Sequence, residues 1–324
     1  MNNSDIDIVI PWVNSNDDVW FNKFKSASLK YNGDKDPQRI RDFGLFKYWF
    51  RGVAENASWV RKIHLLLDSN TQIPDWLNTN NKKIVIHYHK DFIDNIYLPT
   101  FNSNLFFAFV YKLEDLAENF IYLNDDMFIM NNTFPEDFFI DGKPVDTSIK
   151  SLQINANPVD EYWLNRMNIK YKPNQKYNFF HQIVYNDIKL AEKYTGKFNI
   201  YKNVHVGIIS KKSEVEKIFT ELDNDIKKYN KPEDKFRQSY NVNCDWLYRY
   251  IRLNLGNFSD SQLNDFAYTE SHNNNYKEIY NLMQVKKILC INDCLNRFDS
   301  FEFIKNYLNT FFSMKFPNKS EFEL

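Results

Sequence analysis

Glycine is scarce: there are seven in 324 residues, where ordinary usage of roughly 7% would give about 23. They stand apart, at Gly33, Gly44, Gly52, Gly142, Gly196, Gly207 and Gly256. That spacing excludes both a G-x-G-x-x-G dinucleotide fingerprint and a G-x-x-x-x-G-K-[ST] phosphate loop. A nucleotide bound here must therefore have its phosphates held by side chains or a metal. Cysteine is also sparse. Cys244, Cys290 and Cys294 form an odd set that fits a reducing compartment. Cys290 and Cys294 lie four apart with no Cys or His pair nearby, so they read as plain thiols and not as zinc ligands.

Excess charge is missing as well. Lys and Arg total 41 against 42 Asp and Glu, a formal charge of −1, so no general attraction to nucleic acid is expected. The densest apolar stretch, residues 105–111, falls far short of the ~20 that span a bilayer. The opening MNNSDIDIVIPWVN lacks the basic and apolar regions of a signal peptide. These absences predict a soluble cytoplasmic chain, with at most peripheral contact at the inner face of a membrane. Gly-x-Ser-x-Gly and His-Glu-x-x-His are absent too, so a serine triad or a zincin site is not expected.

What is plentiful is aromatic: 29 Phe, 20 Tyr and 7 Trp. Short β-branched runs at 6–13, 60–67, 83–87, 120–123, 204–210 and 285–291 predict strands. Amphipathic stretches at 44–54, 103–117, 182–194, 213–229, 242–253 and 300–312 predict helices between and after them. The alternation predicts an α/β fold with a mainly parallel sheet and additional C-terminal helices. Residues 155–176, polar and rich in Asn and Tyr, read as a helical insertion or a mobile excursion.

Polar residues gather directly after five of the predicted strands. The groups are 12–18, 68–70, 87–91, 124–126 and 292–293. If the strands are parallel neighbours, these groups converge on one crevice, where open α/β sheets bind ligands. Asn124-Asp125-Asp126 is the sharpest of them, because the apolar run FIYL delivers two adjacent carboxylates. Such a pair suits a Mg²⁺ or Mn²⁺ ion on a diphosphate, or equally a turn or helix cap. His181, between aromatics and a helix start, reads as a general base, a phosphate ligand or a packed cap residue. Arg237, and the Arg39, Arg41, Asp42 triplet, read as phosphate forks or as ordinary solvated charges.

Taken in order, several blocks carry a family resemblance. Residues 6–17 (IDIVIPWVNSND) resemble the opening block of the Stealth proteins, a family of hexose-1-phosphate transferases. The second block is closer still. It runs from Arg39-Ile40-Arg41-Asp42 through Arg51-Gly52, Ile73-Pro74-Asp75-Trp76, His89-Lys90-Asp91 and Leu98-Pro99-Thr100-Phe101-Asn102-Ser103 to Asn124-Asp125-Asp126-Met127-Phe128. A third block centres on His181, and a fourth on Phe236-Arg237 with Cys290-Ile291-Asn292-Asp293-Cys294. Phe107, Tyr111 and Lys112 replace the family's usual Glu, His and Arg. Asn241 replaces an acid, with Asp245 as its stand-in.

The resemblance implies a Rossmann-like, glycosyltransferase-A-like core within one catalytic domain, 1–324. Residues 1–150 would form the nucleotide-sugar half, 151–200 a mostly helical excursion, and 201–324 the part completing the site. It implies transfer of a hexose-1-phosphate from a UDP-sugar to an oligosaccharide or lipid-linked glycan in capsule synthesis, with Mg²⁺ or Mn²⁺. Asp125, Asp126 and Asp293 would hold the metal. His181, Asp126 and Arg237 would be catalytic. Trp12, Asn14, Asp17, Arg39, Arg41, Asp42, Asn102, Ser103 and Asn124 would bind substrate. A metal-dependent glycosyltransferase releasing UDP and a non-catalytic glycan-binding homologue are the alternatives.

Overall fold

The computed structural model describes residues 5–150, 179–202, 204–205, 207–295 and 299–324. The expected insertion at 155–176 lies outside them, and the remainder of 151–200 contains the helix Phe179–Thr195. The strands in chain order are β1 (Ile6–Pro11), β2 (Ile63–Leu67), β3 (Ile84–Tyr88), β4 (Asn119–Tyr122), β5 (Met127–Ile129), β6 (Phe139–Ile140), β7 (Lys143–Asp146), β8 (Ile208–Lys211), β9 (Ser259–Asp260), β10 (Phe266–Ser271) and β11 (Ile288–Asp293).

The central sheet has the order β3-β2-β1-β4-β8. Its first four strands are parallel, with Ile8 of β1 opposite Ile63 on one side and Ile121 on the other. This is the Rossmann-like α/β core that the sequence predicts. Both faces of the sheet are covered, so its strands are apolar at nearly every position. Ile8, Ile10, Ile63 and Leu65 bury against Trp49 and Phe50. Val9, Leu66, Phe120 and Tyr122 bury against Phe107 and Tyr248. Asp7 is the polar exception in β1, and a buried carboxylate needs partners. It accepts from Arg61 Nε at 2.9 Å and from the Ala117 amide at 2.8 Å, and meets His64 Nε2 at 3.0 Å. Burial alone would raise its pKa; His64 and Arg61 outweigh that and hold it below the usual carboxylate range.

From β1 the chain moves outward through β2 to β3, then returns to place β4 on the opposite flank of β1. Connections therefore leave in opposite directions at the carboxyl ends of β1 and β4, and a crevice opens there. The helix Phe46–Asn56 lies beneath it. Trp49 Nε1 donates to the Met127 carbonyl at 2.9 Å, and a Cβ on Gly52 would stand 2.5 Å from the Ile129 carbonyl oxygen. This close approach fixes β5, and with it the Asp125-Asp126 turn, against the helix.

Several expectations are corrected. The predicted strand 204–210 begins only at Ile208 and runs antiparallel to β4. The last strand, β11, is outside the central sheet; it pairs parallel with β10 and antiparallel with β5 in a second sheet. The predicted helix 103–117 is a 3₁₀ run, Ser103–Lys112, in which Asn104 to Val110 are all buried. A segment apolar on every side has no stripe to impose the 3.6-residue period. The predicted helix 213–229 breaks at Leu222 into Lys212–Glu221 and Asp223–Tyr229. Asp223 and Asp225 then sit in the first turn of a new helix, where negative charge is favoured. Among the described residues, no helix is long and apolar enough to cross a membrane. All three cysteines are free thiols, with Cys244 and Cys290 buried.

Candidate active site

A cavity of about 120 Å³ opens at the β1–β4 crevice. Three of the five polar groups reach it: Trp12 after β1, Asp125 and Asp126 after β4, and Asn292 and Asp293 at the end of β11. The segment 38–46 forms the facing wall, with Arg39, Arg41 and Asp42. The groups after β2 and β3 are used elsewhere. Asp68 pairs with Lys23 at 2.8 Å, and His89 is buried against the Phe106 ring, 4.6 Å away. A larger concavity, about 410 Å³, is lined by Lys189, Lys193 and Asp225. It shares no lining residue with the carboxylate cleft and holds none of the sequence-derived site residues.

The turn between β4 and β5 presents the two acids. The Met127 amide donates to the Asn124 carbonyl at 3.1 Å, and the Ile291 amide donates to the Asp126 carbonyl at 2.9 Å, which ties the turn to β11. Asp125 faces the opening. Desolvation by the cleft walls, then the charge of Asp126 and Asp42, pushes it up to about 8. Asp126 is raised by burial to about 6, with the Cys290 thiol against it drawing it back. Its Oδ1 is buried and has no hydrogen-bond partner among the described residues. Asp42, raised by burial, accepts from the Gly44 amide at 2.7 Å. Burial thus disfavours the ionised form of all three acids, and Asp125 is the one raised above neutral pH.

Arg39 and Arg41 stand on the facing wall, and Arg237 lies outside the cavity lining. Arg41 binds Asp293 with both prongs, Nε and Nη2 each donating at 2.7 Å. Arg39 Nε donates to Asp34 at 2.8 Å. Arg237 Nη2 donates to Ser103 Oγ. Desolvation, then the neighbouring Arg39, lowers Arg237 to about 10, so it is still charged at neutral pH. Asp245, the stand-in acid, lies within electrostatic reach of Arg237 and Tyr122, and burial raises it to about 7. Phe107, at the family's glutamate position, packs on Tyr122 and Tyr248 at ring distances of 5.2 and 5.3 Å. The acid expected there is thus replaced by packing that supports Tyr122.

The other sequence-derived residues take supporting places. Trp12 stacks on Phe46 with ring centres 4.4 Å apart and planes 8° apart, giving the cavity one flat wall. Asn14 and Asp17 lie in the turn after β1. The Asn14 amide donates to Gln72 Oε1 at 2.7 Å, and Asp17 caps the helix Asp18–Lys30 while accepting from Thr71 and Gln72 at 2.6 and 2.7 Å. Neither lines the cavity. Asn102 is buried and donates to Asn241 Oδ1 at 3.1 Å. His181 lies in the first turn of its helix beside Phe180, whose ring packs 5.4 Å from Trp246, the neighbour of Asp245. Asp34 and Tyr122 carry no local sequence signal and enter only through the fold.

Gly33 secures Arg237. Its φ is +134°, and a Cβ there would lie 2.8 Å from the Arg237 carbonyl oxygen and 2.6 Å from Phe236 Cβ. The next amide, Asp34 N, donates to that same carbonyl at 2.9 Å. Gly33→Ala is expected to cost about 1–3 kcal/mol of stability and to lower turnover by displacing Arg237. Thermal melts and a kcat measurement on the folded fraction check both effects.

The Stealth protein conserved region 2 model matches residues 39–146, which include the Arg39–Asp42 wall and the Asp125-Asp126 turn. The chain is 34% identical over 340 residues to a capsular polysaccharide phosphotransferase, WcwK, of Streptococcus pneumoniae, covering 99% of each chain. It is 31% identical over 333 residues to the exopolysaccharide phosphotransferase cps2G of Lactiplantibacillus plantarum, covering 98% of this chain and 96% of the other. It is 26% identical over 340 residues to the receptor polysaccharide phosphotransferase WefC of Streptococcus oralis. With its acid turn and arginine wall inside the matched region, and with relatives aligned from end to end, this chain belongs to the Stealth family.

Proposed function

We propose that this phosphotransferase moves a hexose-1-phosphate, or an N-acetylhexosamine-1-phosphate, from a UDP-sugar to a hydroxyl of a growing capsular or cell-surface glycan. The observation that carries the reading is the meeting of two adjacent carboxyls, both raised by burial, with Arg39 and Arg41 in one cavity at the β1–β4 crevice, in a chain with no glycine cradle. The acceptor oxygen bonds to the sugar-bearing phosphorus while that phosphorus parts from the bridging oxygen, and UMP leaves. The acceptor's proton goes to a base on the protein.

Phosphoryl transfer asks for alignment and charge neutralisation more than for covalent chemistry. The flat Trp12 wall suits the nucleobase. Asn14 and Asp17 hold the turn beside it, and Asn124 shapes the acid turn. Arg237, set by Ser103 and by the Asn102–Asn241 pair, and Arg39 and Arg41 fork onto non-bridging oxygens. His181 takes the acceptor proton, with Asp126 as its rival.

The acids fit a divalent cation. Asp126 offers a bare buried oxygen, and among the described residues no group of three or more His, Cys, Asp or Glu forms an all-protein cage. Mg²⁺ and Mn²⁺ bind through one or two carboxylates plus water and phosphate. When bound by Asp125 and Asp126, such an ion would neutralise the diphosphate and favour the ionised acids. Asp293, held by both prongs of Arg41, stands apart from that pair and would join it only with Arg41 turned to a phosphate.

Incubation with Mg²⁺ or Mn²⁺, a panel of UDP-sugars and short glycan acceptors, with UMP resolved from UDP, tests the reading. Acceptor-dependent UMP is expected. UDP would mean glycosyl transfer at the anomeric carbon, and neither nucleotide would favour a glycan-binding homologue.

A pH dependence follows as well. Asp125, Asp245 and Asp126 sit at about 8, 7 and 6 in the fold, above the ordinary 3.8. The folded chain then holds protons that the unfolded chain has released, so stability falls as pH rises toward 8. His87, His89 and His205 are desolvated down to about 4. They act in the opposite sense, lowering stability as pH drops from about 6.5 toward 4, and are silent above 7. The metal-free melting temperature is expected to decline between pH 7 and 9, and Mg²⁺ to restore more of it at pH 8.5 than at pH 6. Equal metal stabilisation at both values would remove Asp125 from the metal set.

A further inference from the structure

Beyond the acid turn, the second sheet carries an aromatic and polar surface that the donor chemistry does not use. Tyr268 on β10 is 37% exposed. Its ring lies 4.6 Å from that of His205, which stands 5.1 Å from Trp246. Tyr268 Oη donates to Glu270 Oε1 at 3.1 Å and accepts from Asn292 Nδ2 at 3.2 Å. Parallel pairing of β10 with β11 sets Glu270 opposite Asn292, so these polar tips share one face. His272 braces the outer side, bridging Glu270 and Asp299 at 3.1 Å each.

The surface meets the cleft at Asn292, which lines the cavity that holds Asp125 and Asp126. Arg39 and Arg41 lie on the opposite wall, which leaves this side with the Glu270 carboxylate braced by His272, an amide, a phenol and aromatic rings. It offers a diphosphate no arginine fork. It matches a pyranose, whose apolar C–H face lies on an aromatic ring while its hydroxyls take a carboxylate and an amide.

We infer that Tyr268, with His205 and Trp246 behind it and Glu270 and Asn292 at its rim, is a platform for an uncharged sugar ring of the acceptor glycan. The inference rests on the transfer reaction proposed above, for which the cleft needs a second substrate beside the donor. Tyr268 supplies the stacking face, and Asn292 fixes its tilt. Glu270 accepts from two sugar hydroxyls and disfavours uronic or sialic acids by charge.

Saturation-transfer NMR on the full chain tests this, with methyl glucoside, methyl galactoside, methyl N-acetylglucosaminide and UMP as probes. The wild-type protein is expected to saturate the C–H protons of at least one methyl glycoside. Tyr268→Ala should weaken that sugar about tenfold or more while UMP binding is unchanged. Tyr268→Phe should keep most of the sugar signal, and circular dichroism confirms that each variant is folded. Three results would overturn the platform: no glycoside saturated by the wild type, an unchanged sugar signal in folded Tyr268→Ala, or equal loss of sugar and UMP. The transfer reading itself fails separately, by absence of UMP release in the nucleotide assay.

Discussion

Replacing Asp126 by asparagine is expected to cut kcat about a thousandfold and to leave the protein at least as stable as before at pH 8. Both effects have one origin. Asp126 is raised by burial to about 6, with a side-chain oxygen that no described group satisfies. The fold therefore prefers the neutral form, which asparagine mimics without the cost of ionisation. A cation, however, needs the charge. Stability given up at a position for the sake of its chemistry is the usual mark of a functional site. Turnover by UMP release and thermal melts at pH 6 and pH 8 check the pair of outcomes. Near-normal kcat would take Asp126 out of the reaction, and loss of stability at pH 8 would make it a structural acid. His181→Ala, measured beside it, decides the base. If His181 takes the acceptor proton, kcat falls with little change in donor KM, whereas Asp126→Asn also removes the metal dependence.

The largest loss of stability is expected at Asp146, well away from the cleft. Asp146 ends β7 with 4% exposure, and the helix Cys244–Leu255 turns Arg249 and Arg252, 4% and 1% exposed, onto it. Arg249 donates to its Oδ1 from Nη2 at 2.7 Å, and to both oxygens from Nε at 3.0 and 3.1 Å. Arg252 donates to Oδ2 and to the Ile209 carbonyl of β8. Burial alone would raise Asp146, but the two guanidinium groups outweigh it and hold it below its usual value. Its contribution is therefore present above the ordinary carboxylate range and lost as pH falls through and below it. Asp146→Ala strands two buried cations, a loss of about 3–5 kcal/mol. Chemical denaturation checks the figure, and adding Arg249→Met and Arg252→Leu should recover part of it. Because that helix begins with Cys244-Asp245-Trp246, a destabilised Asp146 variant should also weaken the hold on Arg237.

The parts of this molecule that the sequence makes legible are those written in adjacent residues. FIYL followed by two acids announces a buried strand delivering charge to an edge, and the structure ends β4 there. The parallel order of the first strands follows from apolar runs separated by helical stretches. What is not legible depends on partners far apart in the chain. The β5 strand is three residues long, and β10 is half-exposed with an uneven pattern, so the second sheet leaves little local trace. That sheet explains why β11 reaches the cleft without joining the central sheet. Asp245 could be marked only as a substitute acid, since its neighbours Arg237 and Tyr122 are brought to it by the 3₁₀ run and by β4. Asn14 and Asp17 were legible as polar residues after a strand, but their oxygens and amides are used in closing the turn to residues 70–72.

The Arg41–Asp293 clasp joins residues 252 positions apart. On the ribosome, at about 5–20 residues per second, roughly 13–50 s separate the synthesis of its two halves. Through that interval Arg41 lacks its counter-ion, the cleft lacks the wall that β11 provides, and the sugar platform does not exist. A growing chain can fold its sheet and still have no complete place for two substrates. Competence for transfer thus arrives only after the segment carrying Asp293 is made, and a chain terminated before it is expected to be unable to transfer to a glycan, whatever nucleotide it can still bind.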